Sequence, residues 1–227
     1  MELLDAIRTN ASVREYLADP VDDATLYRIL DTARFAPIGG NMQAWHVVVV
    51  KDRAVRAGLR DLSQLGLREY VTLTAPGQRP FAADESGRWP GPGDVDLAAA
   101  RARDYPWPAI DGLVDAPALL IVAVDIRKLA AMDTELDRVG ISAGGSIYPF
   151  MENILLAARA EGLGGVMTTF VTRQEPAAQQ LLGLPASFCV AAMVTLGTPV
   201  RQVTRLKRKP VGAFATIDRF DGPPLGG

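Results

Sequence analysis

A single cysteine and a single histidine are all the thiol and imidazole chemistry available in 227 residues. Cys189 alone excludes an internal disulfide framework and a cysteine-built zinc site, and its place within the apolar stretch 188–194 reads as a small core residue. His46 stands in Trp45-His46-Val47-Val48-Val49-Val50, which reads as the start of a buried strand, with the ring in a strand-end hydrogen bond rather than in catalysis. With one residue of each kind, Ser-His-Asp, Cys-His and His-rich metal mechanisms are disfavoured. No side chain stands out as catalytic and no metal ligand set is expected, so difficult chemistry calls for a borrowed cofactor.

An excess of one charge is missing too. The 24 Lys and Arg nearly balance 26 Asp and Glu, so no net field draws the protein onto nucleic acid or an anionic membrane. The amino terminus Met1-Glu2-Leu3-Leu4-Asp5 is acidic and no long apolar run follows it. Neither a signal peptide nor a membrane span is expected, and the default location is the cytoplasm.

What the chain does have is core: 48% of its residues are hydrophobic. Leu3, Leu4, Ala6 and Ile7 at helical spacing predict a helix over 1–9. Leu26, Ile29, Leu30 and Ala33 predict another over 21–35, capped by Asp22 or Asp23 and ending at Ala36-Pro37. Residues 52–70 read as a helix with a charged face. Residues 74–107, rich in Pro, Gly and charge, read as an insertion that could act as a lid. The continuous apolar run 118–124 predicts a strand buried on both faces. An almost wholly buried helix follows over 146–161, stopped by Gly162-Leu163-Gly164-Gly165. Then come a strand over 166–171, a helix over 175–182, a strand over 188–196 and an extended basic tail over 198–227. The pattern implies a single α+β domain over 1–227, with helices on both faces of a central sheet.

Four segments in order carry a resemblance. They are Ser12-Val13-Arg14-Glu15-Tyr16 with Pro20-Val21; Ala36-Pro37-Ile38-Gly39-Gly40-Asn41-Met42-Gln43-Ala44-Trp45; the run from Asn153 to Gly164; and Leu196-Gly197-Thr198-Pro199 with Arg208-Lys209-Pro210. Together they span most of the chain, and the second is the most specific. The sequence resembles the nitroreductase family of FMN-dependent oxidoreductases. The resemblance implies an α+β nitroreductase-like fold with a mixed, mainly antiparallel sheet, and a homodimer holding FMN at the subunit interface. It also implies ping-pong transfer of hydride from NAD(P)H to an electron-poor organic acceptor such as a nitroaromatic or a quinone.

By the same resemblance Ser12, Arg14 and Arg208 match phosphate-binding positions. Pro37, Gly39 and Asn41 match a cofactor-binding loop that crosses from the partner subunit, with Ile38 within it and Gln43 holding it, and the backbone of Thr168 and Thr169 faces the flavin N5 edge. Each has an ordinary alternative: a solvated arginine, a turn residue, a β-forming threonine. Trp89, Tyr105 and Trp107 suit either stacking on a ligand or covering an apolar patch of the insertion itself. The chain departs from the family at Asn10 and Ala11, where basic residues are usual, and at Ile38 and Ala44; Arg205 and Lys207 of the tail are candidates to supply the missing charge. These departures keep two other readings open: a flavin-consuming or biosynthetic oxidase of the same fold, like the flavin destructase of dimethylbenzimidazole synthesis, and a non-catalytic flavin- or ligand-binding protein.

Overall fold

The computed structural model describes residues 1–74 and 79–226, so 75–78 of the insertion and the last residue of the tail lie outside the described residues. In chain order the elements are α1 (Leu3–Thr9), α2 (Asp23–Ala33), β1 (Trp45–Val49), α3 (Arg53–Thr74), α4 (Leu97–Ala102), α5 (Pro108–Asp111), β2 (Ala118–Asp125), α6 (Tyr148–Ala160), β3 (Gly164–Thr168), α7 (Glu175–Leu182) and β4 (Phe188–Gly197). Among the described residues no helix is long and apolar enough to cross a membrane.

The strands form one sheet in the order β1-β2-β4-β3. All three pairings are antiparallel, so the mixed sheet expected from the sequence is, among the described residues, antiparallel apart from one isolated parallel bridge between Ser12 and Gly165. Every residue of β2 is buried, as its unbroken apolar run requires. On one face Ala118, Leu120 and Val122 meet Ala192, Val194 and Leu196 of β4 under α2 and α6. On the other, Leu119 and Ile121 meet Val190 and Met193 under α3 and α7. Pairing shifts between Val122 and Ala123, which oppose Ala192 and Val190, so Ala191 is the extra residue of a bulge. That bulge explains why Val190 and Met193, three positions apart, share a face.

Two further expectations are corrected. β1 is an edge strand rather than a buried one: His46 and Val49 are exposed, and the His46 ring packs edge-on against Phe188 at 6.2 Å between centroids. A Val-rich run reads alike for an edge and a centre. The strand expected over 166–171 ends at Thr168, and Phe170–Gln174 forms a 3-10 turn on which α3 rests. The approach is close because Gly66 of α3 has no side chain; a Cβ there would stand 2.2 Å from the Phe170 carbonyl oxygen. α1 forms as expected, with Ala6 buried and Leu3, Leu4 and Ile7 facing outward. The cap on α2 is Asp22, whose carboxylate accepts the Thr25 N–H at 2.7 Å. Hydrogen bonding from the Thr25 side chain, and then from its backbone N–H, holds the Asp22 carboxyl below the usual carboxylate range.

Candidate active site

The segment after α1 is bound to the sheet by its backbone. The Val13 N–H donates to the Gly165 carbonyl at 2.9 Å, the Leu17 N–H to Thr198 at 2.8 Å, and the Val200 N–H to Glu15 at 3.0 Å. Tyr16 secures the underside. Its hydroxyl lies 2.6 Å from the Val13 carbonyl oxygen, 3.1 Å from the Thr195 carbonyl oxygen and 2.8 Å from Thr195 Oγ1. Burial, partly offset by Thr195 and by the charge of Arg14, pushes the phenol up to about 12. Gln202 donates to the Thr9 carbonyl at 2.8 Å and thereby brings the tail across the same edge.

These anchors enclose a cavity of about 300 Å³ between the 7–12 segment, α6, β3 and the tail. Ser12 and Arg208 line it, facing Gly165 and Met167 of β3. Gly165 permits the close fit of β3 to its neighbours: a Cβ would lie 2.5 Å from Leu196 Cδ2 and 2.8 Å from the Thr195 carbonyl oxygen. Glu152 is the single acidic residue in the lining, and it accepts a hydrogen bond from the Asn10 amide at 3.0 Å. Glu152 and Met167 also line an adjoining cavity of about 750 Å³ beside the start of α6. Volumes of this order suit a cofactor-sized ligand. At the end of β3, Thr168 Oγ1 is buried with no hydrogen-bond partner among the described residues, and Thr169 lies beyond the last ladder pair, Thr168 with Met193.

The smaller cavity unites Ser12 and Arg208 from opposite ends of the chain, but not every residue singled out in the sequence. Arg14 is exposed, with its guanidinium 5.9 Å from the centroid of the Trp107 ring. Arg205 and Lys207 are exposed and do not line the cavity. Pro37, Ile38, Gly39, Asn41 and Gln43 lie apart from it in a loop in which Gly40, Asn41 and Gln43 all have positive φ (59°, 52° and 45°). The Gln43 amide donates to Asn41 Oδ1 at 3.3 Å, and Ser146 Oγ accepts the Gly39 N–H at 3.2 Å. Sequence reasoning missed Gly165, Met167 and Glu152. Gly165 had read only as a helix stop, although a glycine pair opening a strand is itself a sign of close approach.

Beside the sheet edge, then, one cavity gathers a cation and a hydroxyl, with a buried hydroxyl at the end of β3 that has no partner among the described residues. Residues 7–198 match the Nitroreductase family, and the chain belongs to it. Among its relatives, an NADH dehydrogenase of Thermus thermophilus is 30% identical over 201 residues, covering 88% of each chain. A nitrobenzene nitroreductase of Ectopseudomonas oleovorans is 28% identical over 209 residues, covering 85% of each. In fold the chain resembles the NADPH:FMN oxidoreductase of Vibrio harveyi complexed with NAD+, with a TM-score of 0.65 at 19% identity over 96% of this chain and 77% of that one. The protein is an NAD(P)H:acceptor oxidoreductase of the flavin-dependent Nitroreductase family.

Proposed function

We propose that the chain binds FMN with its phosphate between Ser12 and Arg208, and passes hydride from NAD(P)H to an electron-poor organic acceptor such as a nitroaromatic or a quinone, as half of a homodimer. The observation that carries this reading is the meeting of Ser12, Gly165, Met167 and Arg208 in one cavity of cofactor scale. When bound, FMN supplies the reversible hydride chemistry that the side chains lack, so donor and acceptor use one site in turn, a ping-pong exchange.

The chain's own residues bind and orient. Arg208 contributes a charge-assisted hydrogen bond and Ser12 a neutral one to the phosphate, with Arg14, Arg205 and Lys207 adding positive potential nearby. Glu152 opposes an anion, and its bond to Asn10 holds the carboxylate. Thr168 Oγ1, buried and without a partner among the described residues, has a donor to give to a flavin carbonyl, and the Thr169 N–H lies beyond the last ladder pair beside it.

The outward apolar side chains support the dimer. Leu3, Leu4 and Ile7 of α1, Tyr27 and Phe35 around α2, and Phe214 and Phe220 of the tail are exposed in the single chain. In this reading the loop of Pro37, Ile38, Gly39, Asn41 and Gln43, which does not reach its own chain's cavity, serves the cavity of the partner. Residues 1–227 act as one domain in which the insertion at 74–107 covers the acceptor side and the tail at 198–227 delivers Arg208.

Titration of FMN into the purified protein, followed by quenching of flavin fluorescence, tests the placement. Saturable binding is expected, weakened about tenfold or more by Arg208→Gln, equivalent to loss of about 1.4 kcal/mol. Unchanged affinity in Arg208→Gln would remove the phosphate from this cavity. Sedimentation equilibrium is expected to give twice the 24.3 kDa chain mass.

A further inference from the structure

We propose that the cavity between α3, the insertion and the turn after β3 is the acceptor subsite, and that Arg173 makes it selective for flat aromatic acceptors bearing a carboxylate. This rests on the flavin reading for the place of the hydride source, because Thr169, beside the proposed flavin edge, also lines this cavity.

The cavity measures about 380 Å³ and its walls come from distant parts of the chain. Tyr70 of α3, Phe81 of the insertion and Phe170 of the turn supply rings: Tyr70 meets Phe170 edge-on at 5.7 Å between centroids and Phe81 at 6.5 Å. An apolar cavity of roughly 150 Å³ holds a benzene molecule, so this slot has room for a substituted ring and its polar groups. None of the lining residues is acidic, and the only charged one is Arg173.

Arg173 is fixed rather than free to swing. Its Nε and Nη2 donate to Glu69 Oε2 at 2.9 and 2.7 Å, while its guanidinium lies 4.6 Å from the Phe81 ring centroid and 5.6 Å from that of Trp89. Glu69 is fully buried, and its other oxygen takes the Nε of Arg101 at 2.5 Å. One carboxylate therefore faces two guanidinium groups, leaving one formal positive charge uncompensated in the triad. Arg173 is the member that lines the cavity, and Nη1 makes no hydrogen bond among the described residues. A carboxylate on an aromatic ring seated in the slot would take that position, with charge and hydrogen bond both satisfied. Glu69 acts as a positioning residue for Arg173 and ties the insertion to the turn.

The test compares 4-nitrobenzoate with 4-nitrobenzamide, which share the ring and nitro group and differ in charge. Quenching of tryptophan fluorescence in the protein without added flavin, with Trp89 and Trp107 nearby, reads binding; KM in the FMN-loaded protein with NADPH reads use. The acid is expected to bind about tenfold more tightly than the amide. Arg173→Gln should bring that ratio close to one, because KM for the acid rises more than KM for the amide. Phe81→Ala should weaken both acceptors equally. Equal affinities in the unmodified protein, or a ratio that Arg173→Gln leaves intact, would overturn the proposal whether or not that variant folds well. Failure of the flavin reading would show separately, as bound flavin that NADPH cannot reduce or as no flavin binding, while the fluorescence ratio still decides the Arg173 site.

Discussion

Replacing Tyr16 with phenylalanine probes the strap that carries Ser12 and Arg14. The hydroxyl touches the Val13 carbonyl, the Thr195 carbonyl and Thr195 Oγ1, and its loss leaves those groups to be resolvated at a site that stays largely closed to water. Near neutral pH the cost is expected to be about 1–3 kcal/mol. The pH dependence gives a sharper signature. The folded phenol titrates near 12, against about 10 in the unfolded chain, because burial disfavours the phenolate. The unfolded chain therefore loses its proton first, and the Tyr16 contribution, complete below pH 10, declines as pH rises towards 12. By pH 11 the loss is on the order of 1 kcal/mol, approaching about 3 kcal/mol beyond pH 12. Urea unfolding followed by tryptophan fluorescence from pH 8 to 11.5 measures it. The wild-type advantage over Tyr16→Phe should be constant to about pH 9.5 and then shrink. Parallel stability curves across the whole range would refute the reasoning.

Other perturbations have defined outcomes. Gly165→Ala places a Cβ against the Thr195 carbonyl oxygen at 2.8 Å, so a loss of about 1–3 kcal/mol in denaturant midpoint analysis is expected, together with weaker FMN binding. Ile154→Ala empties a fully buried position where α6 meets the sheet and should cost about 2–5 kcal/mol without displacing the cavity residues; thermal unfolding checks it. Glu69→Gln removes the buried carboxylate but leaves Arg101 and Arg173 with side chains 40% and 32% exposed. Water can take up part of their solvation, so the loss should be about 1–3 kcal/mol, below the 3–5 kcal/mol of an enclosed pair.

Legibility in the sequence followed how local the determining physics was. The unbroken apolar run of β2, the α7 bounds and the Asp22 cap depend on neighbours in the chain, and each stands where it was read; α6 keeps its three- and four-residue spacing but runs Tyr148–Ala160 and buries only Phe150, Met151, Ile154, Ala157 and Ala158 rather than almost its whole surface. β1 was misread because edge and centre differ only in what lies beside them. The spacing of Leu3, Leu4, Ala6 and Ile7 gives the helix but not what lies against it, and within one chain Leu3, Leu4 and Ile7 are exposed. Ser12 and Arg208, read together from an ordered set of motifs, line one cavity. Arg14, read with them, has its guanidinium over Trp107 of the insertion. The Glu69–Arg173 pair was not legible at all: 104 positions separate the partners, and only the contact of α3 with the turn after β3 brings them together.

The most direct test of the account is an anaerobic absorbance spectrum of the purified protein, taken before and after addition of FMN and then of NADPH. The account predicts flavin bands that shift on binding, saturate at one FMN per chain and bleach on addition of NADPH. Free, unshifted flavin with no bleaching beyond that of a protein-free control would contradict it.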